Sequence, residues 1–212
     1  MYPELSSTIL PHRQEIRFYR GDSFTFHVST QNDAQPPSNV DISRSVIRFA
    51  ARQDFAGYTY ANPEDWNASA VILKKSYVTN QIEVTNEFNG QFDVKIKRAD
   101  TIFHPLARMG WDIEVTRPTE HLTDQPGTVS VQTGSPLVTG LGTDFTTAGL
   151  EMGDIIHVQG LHLLITDVLD ERIVQVDFSD WTNASGLSYN LYKGETRTVA
   201  SGPWTCIGDR VI

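Results

Sequence analysis

Apolar and polar residues alternate with a period of two through most of this chain, as they do in half-buried β-strands. The clearest case is 110–116, where Trp111, Ile113 and Val115 fall on one face and Asp112, Glu114 and Thr116 on the other. Earlier stretches with the same pattern are 14–19, 24–30, 46–52, 69–74, 81–85 and 91–97. Phe24, Phe26 and Val28 alternate with Thr25, His27 and Ser29, so 14–19 and 24–30 are expected to form a hairpin-like pair through Gly21. In 46–52, Arg48 and Arg52 are expected to face outward. One helical turn is possible in 98–105. The segment 53–68 is a long loop rich in Tyr, Asn and Gly, and Asn89-Gly90 marks a turn.

After the strand at 110–116 the chain does not turn back at once. A polar stretch, 117–126, leads into about six short strands separated by turns at Gly134, Gly142, Gly153 and Gly160, a density that suits a small closed β-barrel. Only then does 197–207 appear, with the alternation expected of a partner for 110–116. The chain therefore reads as all-β: an immunoglobulin-like β-sandwich with a small β-barrel, SH3-like or similar, inserted between its last two strands. The expected division is an N-terminal arm at 1–13, a discontinuous sandwich at 14–119 plus 195–212, and the inserted domain at 126–194.

Composition agrees with this division. The net charge of −9 is uneven: between Glu120 and Gly194 there are ten acidic residues against two basic ones, while the remainder is close to neutral. An acidic insert repels phosphate backbones, which argues against nucleic acid as a partner. The single cysteine, Cys206, excludes an internal disulfide and is expected to pack as a small hydrophobe. No apolar run approaches the roughly 20 residues needed to cross a bilayer, and the first residues do not read as a secretion signal.

Candidate chemistry is sparse. Arg20-Gly21-Asp22 spells an integrin-binding tripeptide, but a turn with Gly at positive φ and Asp bonding nearby amides explains it better. Asn67-Ala68-Ser69 and Asn183-Ala184-Ser185 fit the glycosylation pattern and are expected to be silent. His157 and His162 bracket the Gly160 turn and, with Asp154 or Asp167, form at most a weak metal pattern; surface histidines are the simpler reading. Asp112 and Glu114 lie about 7 Å apart along one strand, a spacing open to glycosidase chemistry, yet exposed acids on a strand are ordinarily just solvated. No nucleophile elbow, phosphate-binding loop or Cys/His metal spacing is present. No catalytic, cofactor-binding or metal residue is assigned, and no enzymatic activity is expected.

Four stretches carry a resemblance: Arg20-Gly21-Asp22-Ser23-Phe24-Thr25-Phe26, the run from Val40 to Phe49, Gly90-Gln91-Phe92-Asp93-Val94, and Trp111 to Thr116. They resemble the β-sandwich module near the N-termini of tailed-bacteriophage baseplate and tail-fibre proteins, of the baseplate-upper-protein type. Val199 to Ile207 looks like that module's closing strand. The segment with Gly134-Ser135, Gly140, Gly142-Thr143, Phe145 and Gly153-Asp154 is similar to small β-barrels of phage tail and fibre proteins. The resemblance implies a non-enzymatic virion protein, assembled in the host bacterial cytoplasm, with other virion proteins as partners and a homo-oligomeric trimer or ring as its state. Tyr2, Pro3, Leu5, Phe55, Tyr58, Tyr60 and Trp66 are the candidate interface residues. A capsid decoration protein is one alternative. A carbohydrate-binding module is another, since Tyr58, Tyr60 and Trp66 could stack on a glycan. No cofactor, nucleic acid or membrane is expected.

Overall fold

The computed structural model describes residues 12–13, 15–31, 36, 38–52, 71–76, 81–102, 108–122 and 125–209. Among them the chain is all-β apart from one helical turn. Its strands in order are β1 (His12–Arg13), β2 (Ile16–Arg20), β3 (Phe24–Ser29), β4 (Val46–Arg52), β5 (Val71–Ser76), β6 (Ile82–Asn86) and β7 (Gln91–Ile96), followed by helix α1 (Arg98–Thr101). The run continues with β8 (Arg108–Leu122), β9 (Thr128–Val131), β10 (Leu137–Leu141), β11 (Ile155–Val158), β12 (Leu161–Val168), β13 (Ile173–Val176), β14 (Ala184–Leu187) and β15 (Tyr189–Asp209).

The strand at 110–116 lies within β8, and its partner is β15. The two run antiparallel from Leu191↔Leu122 to Thr205↔Arg108, with Arg197 opposite Val115 and Ala200 opposite Ile113. β4 pairs with the other edge of β8, Phe49 opposite Ile113, and β5 closes that side. β3, β7 and β6 form a separate three-stranded sheet. The apolar faces of the two sheets meet: Ile47, Phe49, Trp111, Ile113, Val115 and Cys206 pack against Phe92, Val94, Ile96 and Ile82, with Phe24, Phe26 and Val28 beside them. Phe26 sits edge-on to Phe49 at 5.5 Å between ring centroids and 5.8 Å from Trp111. Burying an aromatic side chain of this kind contributes about 1.5–3 kcal/mol, so this aromatic cluster anchors the first core. Cys206 is a buried free thiol within it, as its alternation implied.

A second core lies between Val129, Val131, Val138, Phe145, Ile156, Leu163, Val174, Trp181 and Leu191. Its strands follow the order β14, β9, β10, β13, β12, β11, β15. The two ends of that path, β14 and β15, are separated along the chain by Ser188 alone, so the sheet curls until its ends meet. Edge strands exposed in an open sheet are largely removed this way.

Four expectations need correction. The polar stretch after Thr116 is not a connector: β8 continues to Leu122, and Pro118 stands opposite Gly194 in the ladder. Its polar composition reflects strands exposed beyond the first core, not a loop. β2 and β3 do not pair with each other. β2 lies parallel to β15, Cys206 opposite Phe18, whereas β3 crosses to the other sheet and pairs with β7. The Gly21 turn therefore joins two sheets, and it closes the sandwich by bringing Phe18 within 5.8 Å of Phe24. Residues His12 and Arg13, assigned to the arm, pair with Ala200 and Ser201. Finally, Arg48, Asp112 and Glu114 do not face water; they are 2%, 2% and 5% exposed. The reason is that 46–51 and 109–116 are covered on both faces, one by the first core and the other in part by the second set of strands.

Candidate functional site

The region that joins the two cores gathers several of the buried polar groups found among the described residues. β4 and β8 present Val46, Arg48, Ala50, Asp112, Glu114 and Thr116 away from the first core, all of them buried. Val46 packs there against Ile155 of β11 and Leu164 of β12, with Tyr192 of β15 alongside. Directly behind this apolar contact, Arg48 Nη2 donates to Glu114 Oε2 at 2.7 Å, between residues directly opposite in the β4–β8 ladder. Asp177, just past β13, faces the same guanidinium. Burial pushes its carboxyl up from the ordinary aspartate range, while the Arg48 charge and a hydrogen bond from the Leu164 amide to Oδ1 at 3.1 Å act the other way. Two carboxyl groups thus share one arginine in a desolvated centre, where losing the cation leaves both without their counter-charge.

A second set of polar contacts fastens the turn before β11 to β15. Asp154 accepts from Lys193 Nζ at 2.9 Å, from the Gly194 amide at 3.1 Å and from the Glu151 amide at 2.9 Å. The Lys193 ammonium also donates to the Gly149 carbonyl. The ladder between β8 and β15 slips register at Lys193/Gly194, and a Cβ at Gly194 would stand 2.0 Å from the Gly153 carbonyl oxygen. Gly194 is thus required by close backbone approach, and the Gly153-Asp154 turn visible in the sequence is the piece that approaches it. Beside it, Thr116 Oγ1 and Thr196 Oγ1 share a hydrogen bond of 2.7 Å across the ladder.

The outer rim of this junction is aromatic and basic. Gln159 and Gly160 both adopt positive φ, 51° and 78°, which makes the two-residue β11–β12 loop. His157 and His162, one step further from the loop, stand directly opposite each other with rings stacked 4.3 Å apart. The His162 ring lies 6.2 Å from that of Tyr192, which in turn sits 4.9 Å from His121 of β8. Partial burial holds the His162 imidazole down at about 4, helped by His157 and Arg44, and burial with Arg44 also lowers His157. These are junction residues, not simple surface histidines.

Asp154 is committed to the contacts above and Asp167 is exposed on β12, so neither completes a metal pattern with the histidines. Among the described residues no group of three or more His, Cys, Asp or Glu could hold a metal ion. Asp112 and Glu114 are buried in the junction, with Glu114 ion-paired, and do not line a cleft between them as an acid and a nucleophile would require. The Arg20-Gly21-Asp22 tripeptide is a turn: Gly21 has φ 78°, and Asp22 accepts from the Tyr19 amide at 2.9 Å. Asn183 uses its side-chain oxygen to accept from the Thr133 amide at 2.7 Å. The candidate interface residues Tyr2, Pro3, Leu5, Phe55, Tyr58, Tyr60 and Trp66, together with Asn67, lie outside the described residues.

Arg44, Arg48 and Asp177 are the junction residues that sequence reasoning missed. Alternation put Arg48 on the polar face of its strand, and a one-sheet reading sends that face to water; only a second layer contributed by residues more than a hundred positions later buries it. Arg44 sits in a polar turn whose pattern carries no signal beyond the turn itself. No helix among the described residues is long and apolar enough to cross a membrane. No protein-family model matches the chain, and no curated protein matches it. Among solved structures, the chain is similar to a phage phi92 endosialidase at 14% identity and a TM-score of 0.26, over 43% of this chain and 18% of that one.

Proposed function

We propose that this chain is a non-enzymatic structural component of a tailed-phage virion, an adaptor in the baseplate, tail or fibre attachment. Residues 14–119 with 195–212 form its sandwich unit, and 126–194 form a barrel inserted into it. The observation that carries this reading is the β8–β15 ladder. Strands of 15 and 21 residues run through both cores without a break, and the Arg48–Glu114 pair and the Asp154–Gly194 clasp fasten the join. An adaptor needs its two ends held at a fixed spacing and angle, and a shared pair of long strands supplies that where a flexible linker would not.

The sandwich also offers edges for assembly. Among the described residues β3 and β6 end the three-stranded sheet and β5 ends the larger one, and unpaired edges of this kind join subunits by strand addition. Contacts repeated around a symmetric ring or trimer make weak single contacts sufficient. The resemblance of the sandwich and barrel segments to phage tail modules points to the same setting. The N-terminal arm and the segment holding Phe55, Tyr58, Tyr60 and Trp66 are the assembly contacts in this reading.

The test is to locate the protein in a map of the assembled particle and to delete residues 1–11, which leaves the β1–β15 pairing intact. Loss of incorporation with the fold preserved is expected. Unchanged incorporation removes the arm from the assembly, and a protein found outside the particle overturns the virion reading.

A further inference from the structure

We propose that Arg44, His157 and His162 together form a binding site for an oxyanion group, a carboxylate, sulfate or phosphate, at the rim of the junction. Arg44 belongs to the turn that leads into β4, two residues before Val46, and Val46 packs on Ile155, Leu164 and Tyr192. The same faces of β11 and β12 carry His157 and His162, because Ile155 and His157, like His162 and Leu164, are two positions apart on their strands. Their pairing sits one step beyond the closing pair Val158↔Leu161 of a two-residue hairpin, a position where opposed side chains stand closest. That register stacks the imidazoles at 4.3 Å. Asn190, opposite His157, shares the face, and the rings of Tyr192 and His121 extend it.

The charges gathered here run against the rest of the insert. Between Glu120 and Gly194 acids outnumber bases ten to two, yet the charge that acts on both imidazoles is that of a guanidinium. Three carboxylates near the junction have partners of their own: Asp154 with Lys193 and Gly194, Asp177 with the Leu164 amide, and Asp41, in the same turn as Arg44, with the Ser43 amide. Arg44 is exposed and holds no hydrogen bond or ion pair among the described residues. It also occupies the left-handed region at φ 63°, a conformation unfavourable for a non-glycine residue. A guanidinium beside two stacked imidazoles, none of the three hydrogen-bonded to an acceptor among the described residues, supplies the N–H donors and the positive charge that suit an oxyanion. An anion seated there offsets the mutual repulsion of the three groups and favours the protonated imidazoles.

The experiment is an NMR titration of the histidine ring signals in the full chain, at constant ionic strength, with sodium sulfate, phosphate or glucuronate and with sodium chloride as control. The His162 midpoint, about 4 in the free protein, should rise by about one pH unit as an oxyanion saturates, with His157 following. At pH 7 the same anions should shift the Arg44 Nε–H signal. Arg44→Gly relieves the left-handed backbone, so it folds at least as well; it should abolish the response to anions while raising both histidine midpoints in their absence. A stronger response to sulfate and phosphate identifies a phosphate or sulfate ester as the natural group, and a stronger response to glucuronate identifies a carboxylate. Equal shifts with chloride and oxyanions, or a response that survives Arg44→Gly, overturn the site.

Discussion

Arg48 and Glu114 face each other across the β4–β8 ladder with 2.7 Å between Nη2 and Oε2, and both side chains are shut off from water by strands that arrive from the other core. A surface pair in the same register would contribute little. Here each charge depends on the other.

Removing one partner should therefore cost far more than replacing both. Glu114→Leu or Arg48→Met alone is expected to lower stability by about 3–5 kcal/mol. Arg48→Met should be the worse of the two, since it leaves Asp177 as well as Glu114 without its cation. The double substitution Arg48→Met with Glu114→Leu should cost less than the sum of the singles. Urea unfolding of the four proteins measures the coupling, and additive losses would show that the pair is not coupled.

Gly194→Ala should be severely destabilising, because the added methyl meets the Gly153 carbonyl, a backbone group that cannot rotate away. Gly134→Ala, where nothing stands within 4 Å of the added carbon, carries only the strain of its positive φ and should cost about 1 kcal/mol. Melting temperatures of the two variants give the comparison; equal losses would mean the clasp at Gly194 yields easily.

Stability should depend on pH through Asp177 in a defined sense. Its pKa is raised in the folded protein above the ordinary 3.8, so the contribution of the protonated carboxyl is complete below that value and is lost as pH rises through the folded value. Asp177→Asn should accordingly gain on the natural protein as pH goes from 4 to 7, whatever its constant offset. Paired denaturation curves at three pH values read the slope, and a slope of the opposite sign rejects the assignment.

His162 acts at the other end of the same range. Its folded value of about 4 lies below the ordinary 6.5, so the unfolded chain binds the proton first and stability falls as pH drops from 6.5 toward 4. His162→Gln should flatten that part of the profile, and an unchanged profile would assign the acid sensitivity elsewhere.

The two cores should differ in independence. A fragment of residues 117–196 retains the second core and the lower half of the β8–β15 ladder and is expected to fold alone. The complementary chain, with Leu122 and Leu191 joined by Asn-Gly, keeps a closable hairpin but strips the cover from Val46, Arg48 and Glu114. Circular dichroism and dispersed amide spectra should show a folded fragment and a weakened remainder. An equally stable remainder would mean that the junction adds nothing to the sandwich.

How much of this was legible follows from what alternation can carry. The pairing of 110–116 with 197–207 was readable because both strands place apolar residues such as Ile113, Val115, Val199 and Cys206 toward one core. The strands around Val129, Val138, Ile156, Leu163 and Val174 were readable for the same reason, as were the turns at Gly21, Gly90 and Gly160. Alternation says which residues share a face and not what lies opposite that face. Alternation alone therefore sends Arg48, Asp112 and Glu114 to solvent and gives Arg117 to Leu122, with no apolar face, the pattern of a loop. The pairing of β2 with β15 was hidden because a parallel partner nearly two hundred residues away leaves no mark in either strand.

That parallel pairing has a mechanical consequence. β1 and β2 run in the same direction as the last stretch of β15, His12 opposite Ala200 and Arg20 opposite Asp209. Tension applied between the two ends of the chain pulls these neighbours in opposite directions along their length, so the hydrogen bonds between them are strained in shear, all together, and do not open one by one as in an unzipping hairpin. A tether at each terminus would thus be resisted by the whole length of the seam.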